Sequence, residues 1–487
     1  MTRTTFPSGV PGFDQLLGGG IPKNQSILIT GEPGSGKTVL ASQIAFDAAR
    51  RGERVILATT TSESQGKLLE DLAGFDFFTR ERLGEELFFL SVYSWLKKGA
   101  RDAREVLLST VRERRAKLLV VDGLRTVRDL WQDEAKMREF FYELSVGLNA
   151  NECTGIFLTE YPLAQVMSYP ESTTVDGVIS LSNEPERGSR SRRAEVVKLR
   201  GMKHLPGSHS MRIEQGGVRI FPRLESITGP DAGRQGLVER APFGLKELDG
   251  LTCGGLPRNT SSLLTGGTGV GKTLLALHFA NAGAVAGENS LFISFAESEE
   301  NLLQRAQRVS LDLTPNLRSG KLAIQFDPWF GVDADEVVHR VLERVDRQQI
   351  RRLVFEEIDF LELRLGSRER AQSFFSALVI QLRSRGVTTV FTRKIAKVVG
   401  PELDFSDTAL AGIAENLIFL RHVELRGKIH RVLSVLNLRD SPFEPTVREF
   451  EIRNSGVHVL APMSSVEGLL TGQARPVGTQ AREGSQA

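Results

Sequence analysis

The sequence predicts an α/β protein with two tandem copies of one domain, each a mainly parallel sheet flanked by helices. Three observations lead to this fold class. A long segment that starts at Gly12 recurs from Gly244, short apolar runs alternate with longer helix-period stretches in both copies, and a glycine-rich motif follows the first apolar run of each copy. A repeat of this length defines the architecture before any local feature is considered.

The repeat also sets the domain boundaries. A separation of 235 residues relates Lys37 to Lys272 and Pro22 to Pro257. Residues 222–242 mix glycine, proline and charge without a hydrophobic period, which is typical of a linker. We therefore expect a first domain over 1–225, a linker over 226–240, a second domain over 241–463 and a largely disordered polar tail over 464–487.

The apolar runs predict buried parallel strands, because they are apolar on both faces and are separated by helical stretches. In the first copy the runs cover residues 26–30, 55–58, 118–121 and 155–158, and in the second copy 262–264, 290–293, 353–355 and 389–391. The order of strand, glycine-rich motif, helix and strand is the same in both copies.

Composition and charge exclude several classes of protein. The 487 residues are 40% hydrophobic and 25% charged, as in ordinary globular domains. The net charge of +2 gives no electrostatic support for nucleic-acid or membrane-surface binding. Cys153 and Cys253 stand apart from any metal-ligand spacing, and we find neither a signal peptide nor an apolar run of about 18 residues. We expect a cytoplasmic protein.

The glycine-rich motifs, GEPGSGKT and GGTGVGKT, both satisfy the phosphate-loop pattern GxxxxGK[ST] between a strand and a helix. Glycines let the backbone wrap closely around phosphate, and the helix N-terminus adds positive partial charge. The lysine is expected to reach the β- and γ-phosphates and the threonine to bind Mg²⁺. The predicted nucleotide-binding residues are Gly31, Glu32, Pro33, Gly34, Ser35, Gly36, Lys37 and Thr38, and Gly266, Gly267, Thr268, Gly269, Val270, Gly271, Lys272 and Thr273.

Acidic residues close the third predicted strand of each copy. Asp122 follows the run 118–121, and Glu356 with Glu357 follows the run 353–355. A carboxylate at this position holds Mg²⁺ in proteins with a phosphate loop. The predicted metal ligands are therefore Thr38 and Asp122 in the first copy, and Thr273 and Glu356 in the second.

The chain resembles the KaiC family of tandem RecA-like ATPases. Besides the phosphate loops, the resemblance rests on GFDQLLGGGIP from Gly12, on VKLRGMKH (197–204) with GGVRIFPRL (216–224), and on the long segment 422–452. It implies two RecA-like P-loop NTPase domains and a homo-hexamer with ATP at the subunit interfaces, open to regulatory protein partners. It also implies a Lys-x-Arg finger from each neighbour, which matches Lys198 and Arg200 in the first copy, and Asn437 and Arg439 in the second.

Both copies depart from the family pattern. The glutamate pair that activates water in the family aligns with Thr61 and Ser62, followed by Glu63, in the first copy, and with Ala296 and Glu297 in the second. A hydroxyl is a poor general base, so the first copy is expected to hold nucleotide rather than hydrolyse it. The second copy keeps Glu297 but has Asn437 in place of the finger lysine.

Three functions follow from the resemblance. The first is a slow ATPase that acts as a regulatory hexamer. The second is a serine/threonine autokinase, which Ala411 and Gly412 disfavour because they occupy the acceptor positions and lack hydroxyls; Ser406 and Thr408 are the nearest alternatives. The third is a DNA-binding recombinase, which the near-neutral charge disfavours because RGSRSRR (187–193) is an isolated basic cluster.

Overall fold

Strand pairing in the computed structural model gives each half of the chain its own sheet. The structure describes residues 4–60, 65–186, 189–229, 239–328, 333–395, 409–410, 412–425, 427–462, 466–467 and 475–476. The chain divides into two units between Ile227 and Thr228. The predicted tail 464–487 falls mostly outside the described residues.

The first unit alternates strands with helices, as the sequence predicts. Its strands are β1 (Thr5–Phe6), β2 (Ile21–Pro22), β3 (Ser26–Thr30), β4 (Val55–Thr59), β5 (Leu87–Ser91), β6 (Leu118–Asp122), β7 (Thr154–Thr159), β8 (Gly177–Glu186), β9 (Ser189–Leu199), β10 (Ser208–Glu214) and β11 (Gly217–Phe221). Its helices are α1 (Phe13–Leu16), α2 (Lys37–Arg50), α3 (Gln65–Leu72), α4 (Tyr93–Lys98), α5 (Ala100–Arg114), α6 (Leu124–Trp131), α7 (Glu134–Ala150), α8 (Leu163–Val166), α9 (Pro170–Thr174) and α10 (Leu224–Ile227), with a 3-10 turn at Arg80–Arg82.

Among the described residues of this unit, nine strands form one sheet in the order β11-β10-β9-β8-β3-β7-β6-β4-β5. The strands from β8 to β5 pair in parallel, and β8 to β11 form an antiparallel extension. Both faces of β3 are covered, because Ile27 and Ile29 pack into one apolar cluster and Leu28 into another. Helices on both faces explain why the parallel strands are apolar throughout.

The second unit repeats this arrangement. Its strands are β12 (Arg240–Ala241), β13 (Leu256–Pro257), β14 (Ser261–Gly266), β15 (Asn289–Ser294), β16 (Leu322–Phe326), β17 (Ile350–Glu356), β18 (Thr388–Lys394), β19 (Asn416–Leu425), β20 (Lys428–Leu438), β21 (Arg448–Arg453), β22 (Gly456–Pro462), β23 (Val466–Glu467) and β24 (Arg475–Pro476). Its helices are α11 (Lys246–Leu251), α12 (Lys272–Val285), α13 (Glu299–Gln307), α14 (Thr314–Arg318), α15 (Ala334–Gln348), α16 (Asp359–Glu362) and α17 (Arg368–Ser384).

The sheet of the second unit has the order β16-β15-β17-β18-β14-β19-β20-β21-β22 across its described strands. It is parallel from β16 to β19 and antiparallel from β19 to β22. The predicted fold class, two mainly parallel sheets flanked by helices, is confirmed. All eight predicted strand cores lie within observed strands. In the part of the chain that the structure describes, no helix combines the length and apolar character needed to cross a membrane.

A buried ion pair fastens the second sheet to its helices. Arg352 on β17 is 0% exposed, and its Nε donates to the Glu288 carboxylate at 2.6 Å. Its Nη1 donates to the carbonyls of Pro242 (2.5 Å) and Phe279 (3.1 Å), and Gly283 on α12 leaves room for the side chain. A buried charge needs a partner of opposite charge. Removing the Glu288 carboxylate therefore lowers the stability of the fold by much more than the intact pair adds to it.

We predict that Glu288→Ala destabilises the second unit by about 3 kcal/mol, because the Arg352 guanidinium stays buried without its carboxylate. Amide hydrogen exchange measures this directly, with faster exchange expected in β17 and unchanged exchange in β6 of the first unit. The control is Glu152→Ala, which breaks an exposed pair with Lys117 and should leave both strands as protected as in the parent. Unchanged protection of β17 in Glu288→Ala would contradict the prediction.

Candidate functional site

Parallel pairing gathers the predicted site residues of the first unit at one edge of the sheet. The motif 31–38 runs from the carboxyl end of β3 into α2. Gly31, with φ of 155°, passes so close to β8 that a Cβ atom there would lie 2.1 Å from the Leu181 carbonyl oxygen. Gly34 (φ 78°) and Gly36 (φ 102°) adopt the left-handed conformation that glycine favours. The glycines of the motif are therefore required by its backbone path.

Each phosphate-loop lysine folds back onto its own loop. Lys37 is 6% exposed, and its Nζ donates to the carbonyls of Gly31 (2.8 Å) and Glu32 (3.0 Å). Lys272 is 7% exposed and donates in the same way to Gly266 (3.0 Å) and Gly267 (2.9 Å). Burial lowers the pKa of both ammonium groups. Phosphate oxygens can take over from neutral carbonyls with a gain in charge pairing.

A threonine and an acid, the two predicted metal ligands of the first unit, face each other beside the first loop. Thr38 Oγ1 donates to Asp122 Oδ2 at 2.8 Å. Thr60, which follows β4, donates its hydroxyl to the Asp122 carbonyl at 3.0 Å and so fixes the end of β6. Among the described residues no group of three or more His, Cys, Asp or Glu side chains could hold a metal. One hydroxyl and one carboxylate fit a Mg²⁺ ion that takes its other ligands from phosphate and water.

The second unit builds the same pair with a longer and more deeply buried acid. Glu356 at the end of β17 is 1% exposed, and its Oε2 accepts a hydrogen bond from Ser294 Oγ at 2.6 Å. It is also hydrogen-bonded to Thr273, the threonine of the loop. Burial raises the pKa of Glu356 against the opposing effect of these hydrogen bonds. A bound divalent cation would favour its ionised form.

Glu160 belongs to the first site although the sequence analysis did not identify it. It directly follows β7, which lies between β3, the strand that leads into the loop, and β6, the strand that ends in Asp122. Burial raises the pKa of Glu160, and repulsion from Asp122 adds to this, while Lys37 and Arg125 act in the opposite direction. The only signal in the sequence was an acid after a predicted strand, 38 residues beyond Asp122.

An arginine from the antiparallel hairpin approaches each phosphate loop, and it too was missed. Arg192 on β9 lies opposite Asn183, and its Nε donates to the Gly34 carbonyl at 3.4 Å. Arg431 on β20 lies opposite His422 and donates to the Gly269 carbonyl at 3.5 Å. Arg192 belongs to the isolated basic cluster RGSRSRR. In both units, therefore, a guanidinium lies over the loop that would cradle phosphate.

The finger residues lie elsewhere in their own unit. Lys198 Nζ donates to the carbonyls of Val175 (2.7 Å) and Ser172 (3.1 Å), which precede β8, and Arg200 donates to Thr173 at 3.1 Å. These contacts hold Lys198 and Arg200 near the amino end of β8, whereas the phosphate loop follows the carboxyl end of β3.

The second unit holds its finger residues in the same way. Asn437 donates to the Glu415 carbonyl at 2.9 Å, ahead of β19, and the Arg439 backbone N–H donates to Asn416 Oδ1 at 3.2 Å. Asn437 lies opposite Leu417 as Lys198 lies opposite Val178, so the two positions are equivalent.

Glu297, the predicted general base, follows β15 and forms an ion pair with Arg305 on α13 at 2.7 Å. Its backbone N–H donates to Ser294 Oγ at 2.9 Å, and the same hydroxyl donates to Glu356. Ser294 thus connects the candidate base to the candidate metal ligand. Thr61, Ser62 and Glu63 lie outside the described residues, as do Ser406, Thr408 and Ala411; Gly412 is described and lies in a turn.

The fold and the loops define a class: two α/β units, each with a closed phosphate loop and an acid paired to the loop threonine. Comparison with known proteins gives the family. The sequence model described as "ATPase: KaiC" matches residues 6–225 and again residues 241–464. The chain belongs to the KaiC ATPase family, as the sequence resemblance predicted, and is a tandem P-loop ATPase by family.

Several similar proteins match along nearly their whole length. The "Circadian clock protein KaiC3" of Synechocystis is 27% identical over 480 residues, which cover 96% of this chain and 93% of the relative. The "Circadian clock oscillator protein KaiC" of Rippkaea orientalis is 25% identical over 476 residues, covering 95% and 90%. The "Circadian clock oscillator protein KaiC 1" of Synechocystis is 24% identical with the same coverage.

We predict that Glu160→Gln stabilises the nucleotide-free first unit at neutral pH. The pKa of Glu160 lies above its ordinary value in the fold, so ionisation costs stability as the pH rises through that range. Thermal unfolding should show a gain for Glu160→Gln at pH 7 that disappears as the pH falls towards 4.5. The control is Glu113→Gln, a change at an exposed position of α5. A gain that is the same at both pH values would contradict the electrostatic origin.

Proposed function

We propose that this protein binds Mg·ATP in both units and acts as a slow ATPase within a regulatory homo-hexamer in the cytoplasm. The observation that carries the proposal is the duplicated constellation of a buried loop lysine and a threonine–acid pair, Thr38 with Asp122 and Thr273 with Glu356. The relatives' names as circadian clock proteins support a regulatory role with protein partners.

The chain's own groups would hold the nucleotide as follows. Lys37 and Lys272 exchange loop carbonyls for phosphate oxygens, and the N-termini of α2 and α12 add their positive partial charge. Thr38 with Asp122, and Thr273 with Glu356, would hold Mg²⁺, which supplies neutralisation of charge on the phosphates. Arg192 and Arg431 are placed to bind an anion beside the loop glycines Gly34 and Gly269.

Hydrolysis is assigned mainly to the second unit, with Glu297 as the base. Arg305 holds the Glu297 carboxylate through one oxygen, which leaves the other oxygen to accept a proton from water. Glu63 is the corresponding candidate in the first unit, where Thr61 and Ser62 replace the family's carboxylates. The second unit departs from the family pattern at Asn437, which brings no positive charge to a nucleotide bound by a neighbour.

The positions of the finger residues support subunit assembly. Lys198 and Arg200 are directed to the amino end of β8, away from their own phosphate loop, so they would serve a nucleotide bound by a neighbouring copy. Arg439 would serve the second ring in the same way. A nucleotide held by two subunits stabilises the assembled state by mass action.

We predict that most turnover depends on Glu297. With γ-labelled ATP, Glu297→Gln should lose a factor of about 10² or more in phosphate release, because a general base contributes this much, whereas Glu63→Gln should change little. Lys272→Ala should abolish release, and Lys37→Ala should leave most of it. If Glu63→Gln is the damaging change, the first copy is the hydrolytic one and the alignment of its base is wrong.

The same incubation tests the autokinase alternative, which Ala411 and Gly412 disfavour because they have no hydroxyl to accept phosphate. Label on the protein, located by phosphopeptide mapping, would fall on Ser406 or Thr408 if the autokinase is correct. Stoichiometric label at either residue would support it. Released phosphate alongside unlabelled protein would leave the slow ATPase.

We predict that nucleotide drives assembly. Mass photometry of the parent should show hexamers with Mg·ATP and smaller species without it, and the Lys37→Ala/Lys272→Ala variant should remain small under both conditions. The control is Lys246→Ala, a charge loss at an exposed position of α11. Hexamers of the double variant without nucleotide would contradict the coupling.

A further inference from the structure

The two units carry opposite charges at the end of the central strand beside the phosphate loop. Thr30 pairs with Thr159 in the first unit, and Thr265 pairs with Arg393 in the second. Since Thr30 and Thr265 are repeat equivalents, Glu160 and Lys394 are equivalent as well. The acidic residue of the first copy is therefore replaced by a basic residue in the second.

A second reversal accompanies the first on the neighbouring strand. Asp122 pairs with Thr59, and Glu356 pairs with Ser294, so Arg125 and Asp359, each three residues further on, are equivalent. Asp359 accepts a hydrogen bond from Arg393 Nε at 2.7 Å and from the Lys394 backbone N–H at 3.1 Å. Both carboxylate oxygens of Asp359 are thus engaged by this strand end, which fixes the backbone at Lys394.

Lys394 is close to the phosphate loop through shared contacts. The Gly266 carbonyl accepts hydrogen bonds from Lys272 Nζ at 3.0 Å and from the Ile395 backbone N–H at 3.1 Å. Ile395 and Lys272 thus share one acceptor oxygen, and Lys394 directly precedes Ile395. The Lys394 side chain is exposed. Burial lowers the pKa of Lys272, and the positive charge of Lys394 contributes to this against nearby carboxylates.

The reversal coincides with a missing charge elsewhere. In the first unit the finger position holds Lys198 and the strand end holds Glu160. In the second unit the finger position holds neutral Asn437, and the strand end holds Lys394. The second unit thus lacks a cation at Asn437, the position directed to a neighbour, and has one at Lys394 on its own sheet.

We propose that Lys394 contacts the γ-phosphate of the nucleotide bound by its own unit. It would replace the finger lysine of the neighbouring subunit, whose position is occupied by Asn437. The inference rests on the proposed function, because it requires ATP in the second unit. A lysine suits this position, since its flexible stem brings a compact charge to a phosphate oxygen without a fixed approach angle. The expected contact is selective for the triphosphate, because the β-phosphate is already served by Lys272 and the loop amides.

Calorimetric titration with AMP-PNP and with ADP, both with Mg²⁺, tests the proposal. All variants carry Lys37→Ala, so that the second unit provides the binding measured. Lys394→Ala should weaken AMP-PNP binding about tenfold, the effect of losing one charge-assisted contact at a partly solvated site, and leave ADP binding unchanged. Lys246→Ala, at an exposed position of α11, is the matched control and should change neither.

A rescue variant checks the exchange of positions. Adding Asn437→Lys to Lys394→Ala should restore AMP-PNP affinity in the assembled protein, because the cation returns from the neighbouring subunit. Equal weakening of AMP-PNP and ADP by Lys394→Ala, no weakening of either, or a failed rescue would each overturn the inference. Absence of binding of both nucleotides by the Lys37→Ala parent would instead overturn the proposed function of the second unit, and this inference with it.

Discussion

Parallel pairing of the central strands is the constraint on which the candidate sites depend. Because β3, β7, β6 and β4 run in the same direction, the groups that follow them meet at one edge. The loop lysine, Asp122, Glu160 and Thr60 come from four separate stretches of chain, and this pairing alone brings them together. A slip of one residue would reverse the faces of a strand and separate Thr38 from Asp122.

The sequence was sufficient for the scaffold and for the groups that a local motif defines. The repeat, the apolar strand cores and both phosphate loops could be predicted, because each depends on neighbouring residues. Thr38 and Asp122 could be paired because a phosphate-loop threonine and an acid at the end of a later strand are the usual magnesium ligands beside such a loop, although 84 residues separate them. Glu160 could not be assigned to the site from the sequence. Its position beside the loop depends on β7 lying between β3 and β6, and the order of strands in the sheet is not visible in the sequence.

The hairpin arginines show a different limit. Arg192 and Arg431 reach Gly34 and Gly269 because of the antiparallel register of β8 with β9 and of β19 with β20. That register includes a bulge in each hairpin, which shifts the pairing by one residue at Val178 and at Leu417. Charge patterning along the sequence contains no information on which residues of a hairpin lie opposite one another, so it could not place either arginine. The same bulge sets the positions of Lys198 and Asn437.

The two units keep one scaffold and differ where strands end. A strand interior contacts both helical layers, so a change there disturbs packing, whereas the residue after the strand meets solvent and ligand and can change its charge. Glu160 and Lys394, Arg125 and Asp359, and Lys198 and Asn437 all lie within three residues of a strand end, where such a change disturbs packing less. A cation supplied by the unit's own strand is held by covalent connection, while one supplied by a neighbour is present only after assembly. On the proposed function, the first unit would therefore depend on its neighbour for the charge that the second carries itself, and nucleotide binding would be coupled to assembly more strongly in the first.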